Sequence, residues 1–76
     1  MSEHKTITLG AKGEQVRHLQ SELRKASGLD MVVDGEFGPR TETEVKDFQK
    51  TAGLKVDGIV GPLTWAALAS AKPPAA

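Results

Sequence analysis

A nine-residue stretch, Val33-Asp34-Gly35-Glu36-Phe37-Gly38-Pro39-Arg40-Thr41, recurs 23 residues later as Val56-Asp57-Gly58-Ile59-Val60-Gly61-Pro62-Leu63-Thr64. Six of the nine positions are identical, giving V-D-G-x-x-G-P-x-T twice. A chain of 76 residues that builds the same turn and helix start twice has little room for anything else. The duplication therefore organises the fold. It also reaches backward. Val16-x-x-Leu19-Gln20 followed by Gly28-Leu29 is matched by Val45-x-x-Phe48-Gln49 followed by Gly53-Leu54.

The segments around the repeats read as helices. Val16, Leu19, Leu23 and Ala26 fall at helical spacing with Arg17, Gln20, Ser21, Arg24 and Lys25 between them, which predicts an amphipathic helix over 14–26. Gly28 stands where a left-handed cap is expected. Leu9 and Leu29, on either side, are expected to fold back onto the core. A second helix is predicted over 39–52, with Val45, Phe48 and Ala52 as its apolar face and Gly53 closing it. Its start is specified twice over. Pro39 suits a first helical position after a Gly38 N-cap, and Thr41 with Glu44 could form a capping box. The recurrence of Gly61-Pro62 with Ala67 in place of Glu44 favours the first. A third helix is predicted over 62–71, with Trp65 and Leu68 inward. Met31–Asp34 and Lys55–Asp57 allow at most a brief strand pairing. The expected fold is all-α: a compact three-helix bundle at 9–71, after a polar leader (1–8) and before a Pro/Ala tail or linker start (72–76).

Composition narrows the function. Ten Lys and Arg balance ten Asp and Glu, with the signs interspersed, so no basic face exists for nucleic acid. There is no cysteine, hence no disulfide or thiolate-metal staple. No apolar run approaches a membrane span. The polar start shows no signal peptide, so synthesis in the cytoplasm is expected.

Catalytic chemistry is not written here. Asp34-Gly35 and Asp57-Gly58 are turn dipeptides, in which the Asp carboxylate accepts local backbone N–H groups. Counted as a calcium loop from Asp34, the fifth position is Gly38 and the twelfth is Val45, so the ligand pattern fails. Glu42, Glu44 and Asp47 share a polar helix face, where nothing signals the burial that raises a catalytic carboxyl. His4 and His18 lack metal-site spacing, and no serine sits in a nucleophile elbow. Neither a catalytic residue, a metal ligand nor a cofactor is assigned, and an enzyme is not expected.

The helix starts are the better candidates. Gly38–Thr41 and Gly61–Thr64 offer backbone N–H groups at positive dipole ends, which accept carboxylates. Arg40 adds a guanidinium in the first copy, where the second has Leu63. Phe48 reads as core, Phe37 and Val60 as apolar residues tucked beneath their loops, and Trp65 as a partly buried anchor. With two Phe, one Trp and no Tyr, the surface is poorly equipped to stack on sugar rings.

Taken together, the pattern resembles the peptidoglycan-binding domain family, the small three-helix module of endolysins, amidases and other wall hydrolases. The residues that carry the resemblance run through Leu9 (one place out of register), Gly10, Gly13, Val16, Leu19, Gln20 and Leu23. They continue with Asp34, Gly35, Phe37, Gly38, Thr41, Val45, Phe48 and Gln49, then Gly53, Leu54, Asp57 through Gly61, Thr64, Trp65 and Leu68. The resemblance implies non-catalytic binding of bacterial peptidoglycan at the cell wall or periplasm, targeting an attached or partner hydrolase. The scarcity of aromatics favours the stem peptide over the glycan. The expected ligand-binding residues are Asp34, Gly35, Phe37, Gly38, Arg40 and Thr41 from the first copy. Asp57, Gly58, Ile59, Gly61, Thr64 and Trp65 come from the second. A monomer is expected, with no nucleic acid and no membrane insertion. The competing reading is a protein-docking module in a phage or envelope assembly. A helix-turn-helix DNA reader is disfavoured because Leu63, Trp65, Ala66, Ala67, Leu68 and Ala69 leave the third helix almost without donors for bases.

Overall fold

The computed structural model describes residues 6–28 and 32–70. Helix α1 spans Glu14–Ser27, α2 spans Pro39–Ala52 and α3 spans Pro62–Ser70. The first two end at left-handed glycines, Gly28 and Gly53, as expected. Gly38 is the N-cap of α2 and Pro39 its first residue, and no side chain caps it, so the Thr41–Glu44 box does not form. Ala71, expected as the last residue of the third helix, and Leu29, expected to fold inward, lie outside the described residues. So do residues 1–5 of the polar leader and the Pro/Ala tail.

The core is assembled from every element. Val16, Leu19 and Leu23 of α1, Val45 of α2, and Trp65 and Leu68 of α3 are buried, together with Ile7, Phe37 and Val60 from the connecting segments. Phe37 and Val60 hold the same place in the two repeats, and each tucks under its own loop as the pattern predicts. The apolar burial is the main favourable term for so small a domain.

Among the described residues the only extended pairing is two isolated antiparallel bridges, Ile7 with Val60 and Lys12 with Glu36. Pairing of 31–34 with 55–57 does not occur among the described residues. Instead the segment before α1 laces both loops in place. Ile7 exchanges backbone hydrogen bonds with Val60 at 3.1 and 2.9 Å. Gly10 N–H donates to Phe37 O, Phe37 N–H to Ala11 O, and Gly13 N–H to Gly35 O, each at 2.9 Å. Ile7, which the sequence put in the leader, is thereby part of the core. Leu9 does not fold back. A turn closed by Ala11 N–H to Thr8 O carries it outward, and it is 51% exposed.

The inner face of α2 also differs from expectation. It is Thr41, Val45 and Gln49, at i, i+4 and i+8. Ala52 is exposed and Phe48 only half-buried against the core. The helix is rotated so that Gln49 can reach the following loop, and that polar requirement overrides the apolar stripe.

Candidate functional site

Each repeat is built around a buried glutamine from the preceding helix. Gln20 of α1 is 1% exposed, and so is Gln49 of α2. In the first copy, Gln20 Oε1 accepts Gly35 N–H at 2.9 Å. Its Nε2, with two hydrogens to share, lies 2.9 Å from Asp34 Oδ1, 3.0 Å from Glu36 O and 3.1 Å from Thr41 Oγ1. The second copy repeats these four contacts and adds one, from Asp57 N–H. Gln49 Oε1 accepts the N–H groups of Asp57 and Gly58 at 3.1 and 3.0 Å. Its Nε2 faces Asp57 Oδ1, Ile59 O and Thr64 Oγ1 at 3.0, 2.9 and 3.2 Å. One amide thus ties a helix, the loop after it and the first turn of the next helix. Only this amide orientation works, because one end meets N–H groups and the other meets oxygens.

The aspartates close the turn from outside. Asp34 Oδ1 accepts Glu36 N–H at 3.0 Å and Asp57 Oδ1 accepts Ile59 N–H at 2.9 Å, the local bonding expected of Asp-Gly turns. These bonds stabilise the charged carboxylates. Donation from Gln20, then from Glu36 N–H, holds Asp34 below the ordinary carboxylate range. Donation from Ile59 N–H, then from Gln49, does the same for Asp57. Gly35 and Gly58 follow with φ of 77° and 73°, a left-handed conformation that a side chain would strain. Added Cβ atoms there would also lie 3.1 Å from Arg17 Cγ and from Lys46 Cε respectively.

The residues expected at the site therefore divide into two groups. Gly35, Phe37, Thr41, Gly58, Thr64 and Trp65 are buried. They build the loops, held there by the Gln amides and the core. Trp65 is 5% exposed, and exposed His18 stacks over its ring with centroids 5.4 Å apart. Asp34, Arg40, Asp57 and Ile59 are exposed, with Gly38 and Gly61 half-buried beside them. Gln20 and Gln49 were the residues sequence reasoning missed as site builders. Spacing alone puts Gln20 among the polar residues of an outer face. Its recurrence before both loops was the available signal.

Beside each loop lies an open hollow. The first, about 270 Å³, is bordered by Asp34, Glu36, Arg40 and Glu44, with Val32 contributing an apolar patch. The second, about 190 Å³, is bordered by Asp57, Lys55, Leu54, Ile59 and Leu63. The scaffold is the same, but the rims have diverged. Glu36 and Arg40 of the first copy correspond to Ile59 and Leu63 of the second, which are 41% and 76% exposed. Among the described residues no group of three or more His, Cys, Asp or Glu could hold a metal ion.

The family model describing a peptidoglycan binding domain matches residues 12–68, a span that contains both clamps and both loops. The chain belongs to the peptidoglycan-binding domain family. It is 42% identical over 62 residues to the zinc D-Ala-D-Ala carboxypeptidase of Streptomyces albus G, covering 79% of this chain and 24% of that enzyme. It is 53% identical over 57 residues to an uncharacterised protein of Kitasatospora aureofaciens, covering 74% of this chain and 48% of that one. The peptidoglycan-binding domain described here thus spans less than half the length of either relative. Among solved structures, the SleB N-terminal domain superimposes with a TM-score of 0.83 at 38% identity, covering 90% of this chain and 93% of that one. A Burkholderia AP3 phage endolysin gives 0.82 at 42% identity, over 92% of this chain and 27% of that one. These agreements establish the three-helix fold of the peptidoglycan-binding domain in this chain.

Proposed function

We propose that this domain binds bacterial peptidoglycan through its stem peptides, without catalysis, and holds a linked or associated wall hydrolase on its substrate. The family match over residues 12–68 carries the reading, because it spans both clamped loops. Relatives named as amidases, and one named as a carboxypeptidase, support the targeting role. This chain aligns with 18% of the Bacillus licheniformis amidase CwlL and 24% of the Streptomyces albus G carboxypeptidase, a part of each enzyme rather than the whole. Confinement near a polymer raises effective concentration even where each contact is weak. The site of action is the cell wall or periplasm, and the domain works as a monomer. Among the described residues no helix is long and apolar enough to cross a membrane.

The stem peptide is favoured over the glycan by the surface chemistry. Phe37 and Trp65 are buried and Phe48 is half-buried, so no flat aromatic platform is presented to a sugar. The first hollow instead offers the exposed Arg40 beside the start of α2, where a carboxylate is stabilised.

Competition on purified sacculi tests this. Soluble peptide-bearing wall fragments should release the bound domain at lower concentration than glycan chains stripped of peptide. Equal release by stripped glycan would refute the peptide assignment. One observation favours a second reading, protein docking. Ile59 and Leu63, both exposed, line the second hollow, and exposed Val56 lies in the same repeat. Failure to bind sacculi of several wall types would move the function there.

A further inference from the structure

A third concavity lies away from both loops, between the C-terminal half of α1 and the middle of α2. It measures about 320 Å³. Its floor is apolar: Leu23, Ala26 and the half-buried ring of Phe48. Its rim carries two carboxylates, Glu44 and Asp47, and ends at Thr51. Neither carboxylate makes an ion pair among the described residues. Burial pushes the Glu44 carboxyl above its ordinary value, with Asp47 adding to the rise and Arg40 opposing it. A half-buried carboxylate beside an aromatic ring suits a cation on a hydrocarbon stem.

Glu44 also borders the first loop hollow, so the two concavities share a wall. Arg40, Glu44, Asp47, Phe48 and Thr51 are spaced i, i+4, i+7, i+8 and i+11, which sets them along one side of α2. From Arg40 to Phe48 the helix rises about 12 Å, the reach of three or four extended residues. The stripe thus begins with a cation at a helix start, passes two anions and ends on an apolar floor.

From this juxtaposition we infer that the α1–α2 groove is a binding subsite for a primary ammonium on an aliphatic stem. It continues the first loop hollow, so that one peptide lays a carboxylate at Arg40 and a side-chain amine between Glu44 and Asp47. The inference rests on the peptidoglycan reading for the source of that amine, the diamino acid of a stem peptide. The groove's own complementarity does not depend on it. The second loop offers no such continuation, because Ala67 occupies the place of Glu44.

The test uses two probes, a soluble stem peptide with a free diamino-acid amine and the same peptide with that amine acetylated. Backbone NMR shifts of the whole chain are followed with each. The free-amine probe should move Glu44, Asp47, Phe48 and Thr51 as well as Arg40. Acetylation should abolish the movement at 44–51 and weaken binding roughly two- to fivefold. Glu44→Gln with Asp47→Asn, conservative changes on a solvated rim, should remove the preference between the probes. Equal binding of both probes, or a preference that survives the double substitution, would overturn the groove assignment. Retention on sacculi is measured separately. Retention with no amine preference leaves wall binding standing and removes the subsite. Amine-dependent shifts without retention keep the subsite and remove wall targeting.

Discussion

Gln20 Nε2 donates to Asp34 Oδ1 across 2.9 Å, and the same bond recurs between Gln49 and Asp57 at 3.0 Å. The glutamines are buried and the aspartates exposed, so each pair joins the core to the loop surface. The partners are 14 residues apart in the first unit and 8 in the second, yet the end geometry is the same. What the duplication preserves is a clamp, with the connecting segment free to vary.

Breaking a clamp should cost stability out of proportion to the atoms removed. Gln20→Leu or Gln49→Leu keeps the volume but leaves loop N–H groups without their acceptor in a buried setting. Each should lose about 1–3 kcal/mol, which for a domain of this size lowers Tm by roughly 4–8 °C per kcal/mol. Thermal unfolding followed by circular dichroism reads this directly. A change under half a kcal/mol would show that water replaces the amide at no cost.

The turn glycines should be nearly as sensitive. Gly35→Ala and Gly58→Ala place a Cβ at φ of 77° and 73°, a conformation costing about 1–2 kcal/mol for an L-residue. The new methyl also presses on Arg17 or Lys46, whose flexible chains can yield. Backbone strain is therefore the larger part. Denaturant midpoints for the two variants should fall by similar amounts.

Acid should find the clamps first. Both aspartates are held below their ordinary value of 3.8 in the folded chain. A depressed folded pKa contributes stability above the unfolded value and loses it as pH falls through the folded one. Stability should therefore decline from about pH 4 downward. Glu44 acts with the opposite sign. Its carboxyl is raised from 4.5, so the cost of its burial sets in as pH rises past that value. Asp34→Asn with Asp57→Asn keeps the acceptor oxygens but removes both titrations. Its thermal midpoint should fall less between pH 5 and pH 2 than that of the parent chain.

At the rims, binding and stability should separate. Arg40 is exposed, and Arg40→Ala should change stability by no more than about 0.5 kcal/mol. Retention on sacculi should weaken roughly two- to fivefold. The reciprocal change, Leu63→Arg, gives the second hollow the cation of the first and should strengthen retention. Parallel pull-downs of the two variants compare them on one wall preparation.

The helices and their ends were legible because each is marked by residue chemistry: Pro39 and Pro62 at the starts, Gly28 and Gly53 at the stops. The tucked Phe37 and Val60 could be read from their common place in the repeat. Polar burial could not be read from hydropathy. A periodicity argument treats Gln49 as surface and Ala52 as core, yet the amide has four hydrogen-bonding positions to fill and the loop behind it supplies them. Leu9 was misplaced for a related reason, since backbone pairing at Ile7 and Gly10 fixes that segment's register and leaves Leu9 on the turn. The candidate site was legible as two loops. Which residues build those loops and which face outward depended on the clamps.

Titration of the isotopically labelled domain with soluble peptide-bearing muropeptides decides whether the two loops bind the wall. Shifts should concentrate at residues 34–41 and 57–65 and extend to 44–51, while the exposed face of α1 stays still. Saturating muropeptide that leaves both loops unmoved would contradict binding there.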